Sequence, residues 1–235
     1  PPTRAAVLAG ADALASFFGR ADANDFLVPL LITCLNDRSW RLRVAFFERI
    51  AAVARFVGVA SAEAFLLPCV ERCLADDSDE VAAAALRCLG DMCGADVDEA
   101  RAGASTTRGL SRSSSLETSE TSSDPLFDVA TSDVAQTHGA TLRKRSVLAA
   151  AKRAAPALCH PAGAVRAEAR RFFEAASKRL GAADAFALLL PLARPFLAAR
   201  FASLGAAAAD VLADRSALAA ATRAPPSREA FEDAV

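Results

Sequence analysis

Two stretches of this chain repeat each other at a fixed distance. Phe26-Leu-Val-Pro-Leu-Leu-Ile-Thr-Cys-Leu-Asn-Asp37 and Phe65-Leu-Leu-Pro-Cys-Val-Glu-Arg-Cys-Leu-Ala-Asp76 align without a gap. Phe26 falls on Phe65, Pro29 on Pro68, Cys34 on Cys73, Leu35 on Leu74 and Asp37 on Asp76, an offset of 39 residues at every pair. The register continues, with Leu42 on Val81 and Ile50 on Leu89. A chain built this way has to bury its apolar faces between neighbouring copies of one unit, not around a single closed core.

Each unit reads as two helices. The first ends at Leu35 or Leu74, and the turn holds Asn36-Asp37 or Asp76-Asp77-Ser78, whose oxygens can cap the next helix. The second helices are Trp40–Val57 and Asp79–Cys93, the first with an apolar stripe of Leu42, Phe46, Ile50, Val53 and Val57. Gly58 and Gly94 follow where C-terminal caps belong. A period near 40 residues made of two helices is the HEAT/armadillo signature. Composition agrees: hydrophobic residues make up 53% of the 235, alanine dominates them, and tyrosine is absent. Alanine is the best helix former because it loses no side-chain entropy on folding. The expected fold is an all-α, HEAT/armadillo-type solenoid of antiparallel helix pairs.

A third copy, Ala157-Leu-Cys-His-Pro-Ala-Gly-Ala-Val-Arg166, places Leu158 on Leu74 and Val165 on Val81 at an offset of 84, which is 45 more than one period. Its second helix is expected over 164–180, capped by Gly181, with a fourth unit from 183, further helix over 200–214 and a short one over 227–234. A leading helix over 4–18 precedes the first copy. The excess of 45 is an insertion, and apolar periodicity stops over 95–140. Its centre, Ser111-Arg-Ser-Ser-Ser-Leu-Glu-Thr-Ser-Glu-Thr-Ser-Ser123, has too little apolar surface to offset the entropy of ordering, so it reads as a disordered loop. The organisation expected is therefore repeats over 1–94, a Ser-rich insertion over 95–140, and repeats of the same solenoid over 141–235.

Charge and chemistry narrow the function. The formal net charge is −1, so no basic field points to nucleic acid. No apolar run reaches transmembrane length, so no spanning helix is expected. The first residues, Pro1-Pro2-Thr3-Arg4, are neither an initiator methionine nor a signal peptide, so the chain reads as a piece of a longer protein. Cys34, Cys69, Cys73, Cys88, Cys93 and Cys159 lie among apolar neighbours, which suits a reducing cytoplasm. Cys69 and Cys73, four apart on a helix, could share a metal. Cys34 occupies the register of Cys73, however, which marks a packing position. Neither histidine, His138 in the insertion or His160 in a turn beside Cys159, has the partners of a catalytic set. Glycine-rich phosphate loops are absent, and no cofactor is expected.

What remains is a surface for proteins. Trp40, at the start of a second helix, is a candidate anchor. Arg43 with Asp37, and Arg166 beside Val165, belong to a polar strip along the turns. That strip serves either a partner or capping and inter-repeat bonding, and the second use is the more usual. The basic residues Arg143, Lys144, Arg145, Lys152 and Arg153 flank the end of the insertion, as a solvated face or as a site for an acidic partner or lipid. Ser111 and Ser115 each follow an arginine by three residues, the form preferred by basic-directed kinases. Phosphate there would add about −1.5 to −2 charges per site.

Several strings go further than the repeat. In order they are Phe17-Phe-Gly-Arg20, Ala23-Asn-Asp25, Leu31-Ile-Thr-Cys-Leu-Asn-Asp37, Trp40-Arg-Leu-Arg-Val-Ala-Phe-Phe47, Leu158-Cys-His-Pro161 and Pro226-Ser-Arg-Glu-Ala-Phe231. The series resembles the helical-repeat region of the regulatory subunit of class III phosphatidylinositol 3-kinase, the vacuolar-protein-sorting family with a protein-kinase-like domain. The resemblance covers nearly the whole chain outside the insertion, and the Ser-rich insertion departs from the family's compact pattern. It implies a non-enzymatic scaffold within a parent carrying a kinase-like domain before this region and a β-propeller after it. The implied partners are the lipid-kinase catalytic subunit and coiled-coil accessory subunits. The implied setting is cytoplasmic, peripheral to endosomal or autophagic membranes. Without the resemblance, another HEAT adaptor, such as a phosphatase scaffold or transport receptor, fits the same repeats. An enzyme on this fold would need converging acids or histidines that the chain barely supplies.

Phosphopeptide mapping of the native protein is expected to find Ser111 or Ser115 modified. An unmodified insertion under all growth conditions would remove that reading.

Overall fold

Three of the first helices carry a proline in mid-course, and each answers it in the same way. Proline has no N–H, and its ring collides with the carbonyl four residues earlier in an α-helix. In a computed structural model of the chain, which describes residues 2–94, 142–202 and 207–232, a π-helical turn precedes each of these prolines. The turns are Ala23–Leu27 before Pro29, Ala62–Leu66 before Pro68 and Ala185–Leu189 before Pro191. Each wide turn contains the carbonyl that the ring would strike, at Asp25, Ala64 or Ala187. The third copy has Lys152 at this register, and its helix is α throughout Lys144–Ala154. Its proline, Pro156, instead opens a 3-10 turn, Ala155–Cys159.

The elements follow in pairs. Helices α1 (Pro2–Ala9) and α2 (Ala11–Asp22) lead in. Then α3 (23–36) pairs with α4 (Trp40–Val57), α5 (59–75) with α6 (Asp79–Cys93), α7 (144–159) with α8 (Gly163–Leu180), and α9 (182–196) with α11 (Ala207–Ala213). Shorter helices are α10 (Ala199–Ala202), α12 (Arg215–Ala221) and α13 (Arg228–Glu232). Among the described residues there is no strand, only an isolated bridge between Leu197 and Thr222. The expected bounds of α4 and α6 hold to the residue, and α8 begins one residue earlier than expected. The leading helix differs: Gly10 divides it, and Gly19 breaks α2 again.

Gly19, Gly58 and Gly181 share one conformation, with φ of 79°, 96° and 88° and ψ of 170°, 165° and 162°. Only glycine enters that region without strain, and one such residue suffices to turn the chain from one helix pair into the next. Gly58 N–H donates to Ala54 O and Gly181 N–H to Ser177 O, closing the preceding helices. Gly94 was expected to act likewise, but it is extended at φ −173° and needs no glycine there. At Gly58 the space is also taken. A Cβ would stand 2.1 Å from an Arg20 guanidinium nitrogen. Arg20 Nε donates to Val57 O at 3.1 Å, and Lys144 Nζ donates to Leu180 O at 3.0 Å. Each places a cation at the negative end of a second helix.

The second helices form the spine. α4 packs on α6, α6 on α8, and α8 on α11, with α6 against α8 the most extensive contact in the molecule. Sandwiched in this way, α6 is buried nearly all round, and Ala82, Ala83, Ala84 and Ala85 let its neighbours approach closely. The bulk comes from either side, as the edge-packed pairs Phe46–Phe47 on α4 and Phe172–Phe173 on α8. The described residues on both sides of 95–141 thus belong to one compact unit, an all-α solenoid of helix pairs.

Phe172→Ala is expected to cost about 3–5 kcal/mol in urea unfolding, because it empties a fully buried site. Phe17→Ser, at a side chain 84% exposed, should change stability by less than about 0.5 kcal/mol.

Candidate interaction surface

The polar strip expected along the turns is a ladder of arginines. Arg4, Arg43 and Arg166 occupy one register of the repeat, and the turn residues Asp37, Asp76 and His160 occupy another. Arg4 Nη1 reaches Asp37 Oδ2 at 2.8 Å, and Arg43 Nη2 reaches Asp76 Oδ1 at 2.9 Å, so each arginine ties its own unit to the next. Arg43 Nη1 also donates to Asp37 O at 2.9 Å. Arg166 Nη1 donates to His160 O at 2.6 Å and Pro161 O at 2.7 Å. The side chain of Arg43 is only 16% exposed, and its two terminal nitrogens serve the scaffold's own turns.

Capping differs from expectation. Ser39 and Ser78 stand at the N-caps but make no side-chain cap bond. Instead Asp37 Oδ1 accepts from Ser39 N–H and Asp76 Oδ1 from Ser78 N–H, each at 2.9 Å. The aspartates thus brace the turn and receive the arginine at once. The Ser39 N–H, and after it Arg4, hold the Asp37 carboxyl below its ordinary range. His160 takes over the bracing role in the third unit, its Nδ1 accepting from Ala162 N–H at 3.1 Å. Burial pushes the pKa of its imidazole down.

A second row lies on the first helices and is apolar. Phe26, Phe65, Ala149 and Leu188 share one register. Phe26 is 67% exposed and Phe65 55% exposed. Around them, exposed or half-exposed, lie Pro29 and Leu30 on α3, Pro68 and Cys69 on α5, and Pro191 and Leu192 on α9. On α7 the row breaks, where Arg153 stands at the Leu30 register and pairs with Glu71 at 3.0 Å. Adjacent exposed phenylalanine, proline and leucine on successive helices are what a protein-docking face requires. Sequence reading used Phe26 and Phe65 only to set the repeat. A sign of their exposure lay in Leu27 and Leu66, apolar neighbours that point the other way, into the core.

Of the remaining candidates, Trp40 heads α4, 42% exposed, with the Arg41 guanidinium 5.3 Å from its ring centre. In the basic cluster, Arg143 pairs with Glu63 at 3.1 Å and Lys144 with Asp184 at 2.7 Å. Ser111, Ser115 and His138 lie outside the described residues. Among the described residues no three histidines, cysteines or acids converge as a metal site. Cys69 Sγ points along its helix to Phe65 O at 3.2 Å, while burial pushes the pKa of Cys73 up to about 11 and that of Cys93 up to about 12.

The profile of the family described as "PIK3R4-like, middle domain" matches residues 1–102 and 134–235. The chain belongs to this family. It is 39% identical over 197 residues, 84% of its length, to Serine/threonine-protein kinase VPS15 of Arabidopsis thaliana. It is 35% identical over 80 residues, 34% of its length, to Probable serine/threonine-protein kinase vps15 of Dictyostelium discoideum. The chain spans 10% of the Arabidopsis relative and 4% of the Dictyostelium one. The region held in common is the PIK3R4-like middle domain, which is helical and is not a kinase domain.

A thiol reagent applied to the native chain is expected to label Cys69 first. It should reach Cys34, Cys73, Cys88, Cys93 and Cys159 only on unfolding, since all five are buried and burial raises the pKa of each. Rapid native labelling of several thiols would contradict the packing described.

Proposed function

We propose that this PIK3R4-like middle domain is the scaffold segment of the regulatory subunit of a class III phosphatidylinositol 3-kinase complex. Its partners in this reading are the lipid-kinase catalytic subunit and coiled-coil accessory subunits. The setting is cytoplasmic, at the periphery of endosomal or autophagic membranes, in autophagy, endosomal sorting and vacuolar targeting. Membership of the family supports the complex. The observation that supports a binding role is the apolar row of Phe26, Leu30 and Phe65. A solenoid that buries its spine and ties its turns with arginines leaves this face with no internal task. The Ser-rich 95–140 is then an insertion between repeats over 1–94 and 141–235, and it does not begin a new domain.

Kinase and lipid chemistry belong, in this reading, to parts of the complex outside the chain. The PIK3R4-like segment contributes position: a row of apolar anchors at a fixed spacing, held by helices that cannot slide because their register is locked by the ladder. Trp40 and its Arg41 neighbour form a second anchor.

Affinity capture of the full-length protein from native cells, read by mass spectrometry, tests this. Capture of a phosphatidylinositol 3-kinase catalytic subunit is expected, with at least a tenfold loss in a Phe26→Ser, Phe65→Ser variant that stays folded. Undiminished capture by the variant would make the segment a spacer. Capture of phosphatase or transport components instead would replace the reading altogether.

A further inference from the structure

The arginine ladder lacks its arginine at one unit. At the register of Arg4, Arg43 and Arg166, the second unit carries Ala82, and the turn residue that would face it across the next junction is His160, not aspartate. Both members of the pair are changed together, so the junction between α6 and α8 keeps no lone buried charge. What stands there instead comes from far along the chain. The Arg228 guanidinium pairs with the Asp79 carboxylate, at the first residue of α6 and one helical turn from Ala82. The Phe231 ring meets the His160 ring edge-on, with centroids 4.8 Å apart and planes at 76°.

We infer that the missing rung is a docking seat for an Arg-x-x-Phe helical turn, and that α13 fills it as an intramolecular latch across the second and third units. Spacing is the reason for the motif. Residues three apart on a helix face the same way, so Arg228 and Phe231 reach the seat together. Ser227 fixes the start of the turn, its Oγ accepting from Ala230 N–H at 3.3 Å and its carbonyl from Phe231 N–H at 3.0 Å. Asp79 belongs to the second unit and His160 to the third, so the two contacts together bridge the junction that lacks its own rung. Arg228 acts as the absent arginine, supplied from 149 residues away. Two of the strings that carry the family resemblance, Leu158-Cys-His-Pro161 and Pro226-Ser-Arg-Glu-Ala-Phe231, are the two halves of this contact.

The latch includes an ion pair between side chains 55% and 31% exposed and an aromatic edge. It also responds to protons. His160 is faced by Asp79, Arg228 and Arg166, and burial keeps the imidazole neutral. Protonation would take away the acceptor for Ala162 N–H and set a third cation beside Arg166 and Arg228. Because the folded imidazole lies below its ordinary pKa of about 6.5, the stability it contributes is present above that pH and is lost as pH falls through its folded value.

Proton NMR of the imidazole in residues 1–235 carrying His138→Gln, where His160 is the remaining histidine of that stretch, reads the seat directly. Phe231→Ala is expected to move the His160 ring signals and to raise its titration midpoint towards that of an ordinary histidine, with helicity unchanged. Arg228→Met should act in the same direction, and Phe231→Tyr should restore the original spectrum. His160 signals and midpoint indifferent to both Phe231→Ala and Arg228→Met would overturn the latch. That outcome leaves the apolar row untouched, and loss of partner capture leaves the latch untouched.

Discussion

A helix buried on both sides has to be thin, and most of this structure follows from α6 meeting that demand. Its run of alanines lets α4 and α8 close on it, and the phenylalanine pairs on those two helices fill the space that alanine leaves. Each fully buried phenylalanine contributes about 1.5–3 kcal/mol by transfer alone. The α6–α8 contact joins residues on either side of 95–141, so the stack is continuous through side-chain packing. Arg87 and Glu168 at 2.9 Å, with Arg171 and Asp91 at 2.6 Å, add register across the same contact.

The second helices were legible because periodicity, turn and glycine agree at both their ends. Trp40–Val57 and Asp79–Cys93 are bounded by a polar turn on one side and by glycine on the other, and both glycines mark helix ends although only Gly58 has the left-handed backbone. Gly19 escaped notice as a member of that set. Its equivalence to Gly58, at the same 39-residue offset, shows only once the leading helix is included in the array. First helices were read less well for a physical reason. A π turn advances fewer degrees per residue than an α turn, so the apolar stripe changes phase inside the helix. Phe26 and Leu27 are both apolar, and a fixed 3.6-residue period cannot say which of them faces inward. Proline at 29, 68 and 191 carried that information, but only through the clash with the carbonyl four residues back.

The two edges of the solenoid divide its chemistry. Along the turns every ladder arginine is committed: Arg4 and Arg43 to the aspartates of the following unit, Arg166 to the carbonyls of its own turn. Charges spent in this way fix the rotation between neighbouring units more than they stabilise them, since partly exposed pairs are worth little individually. On α3, α5 and α9 the outward side chains include phenylalanine, proline and leucine, and the prolines are the ones that force the π turns. The same residue therefore reshapes the helix and joins the exposed row, so the apolar face and the phase change that creates it are inherited together.

The junction between the second and third units is exceptional on both edges at once. On one edge the second helix ends at extended Gly94 and not at a positive-φ glycine. On the other the arginine–aspartate rung is replaced by Ala82 and His160, with Arg228 and Phe231 laid across. A junction freed from a one-residue tether can settle at its own rotation, set by how closely the alanines of α6 approach α8. The ladder geometry that suits glycine-linked neighbours then has no reason to suit this one. A latch brought in from the far end of the array spans whatever gap the packing leaves, because its reach is set by the path from α12 and not by the local repeat. The latch is thus laid across a junction whose rotation is set by packing, whereas Arg43 closes the junction before it within the array itself.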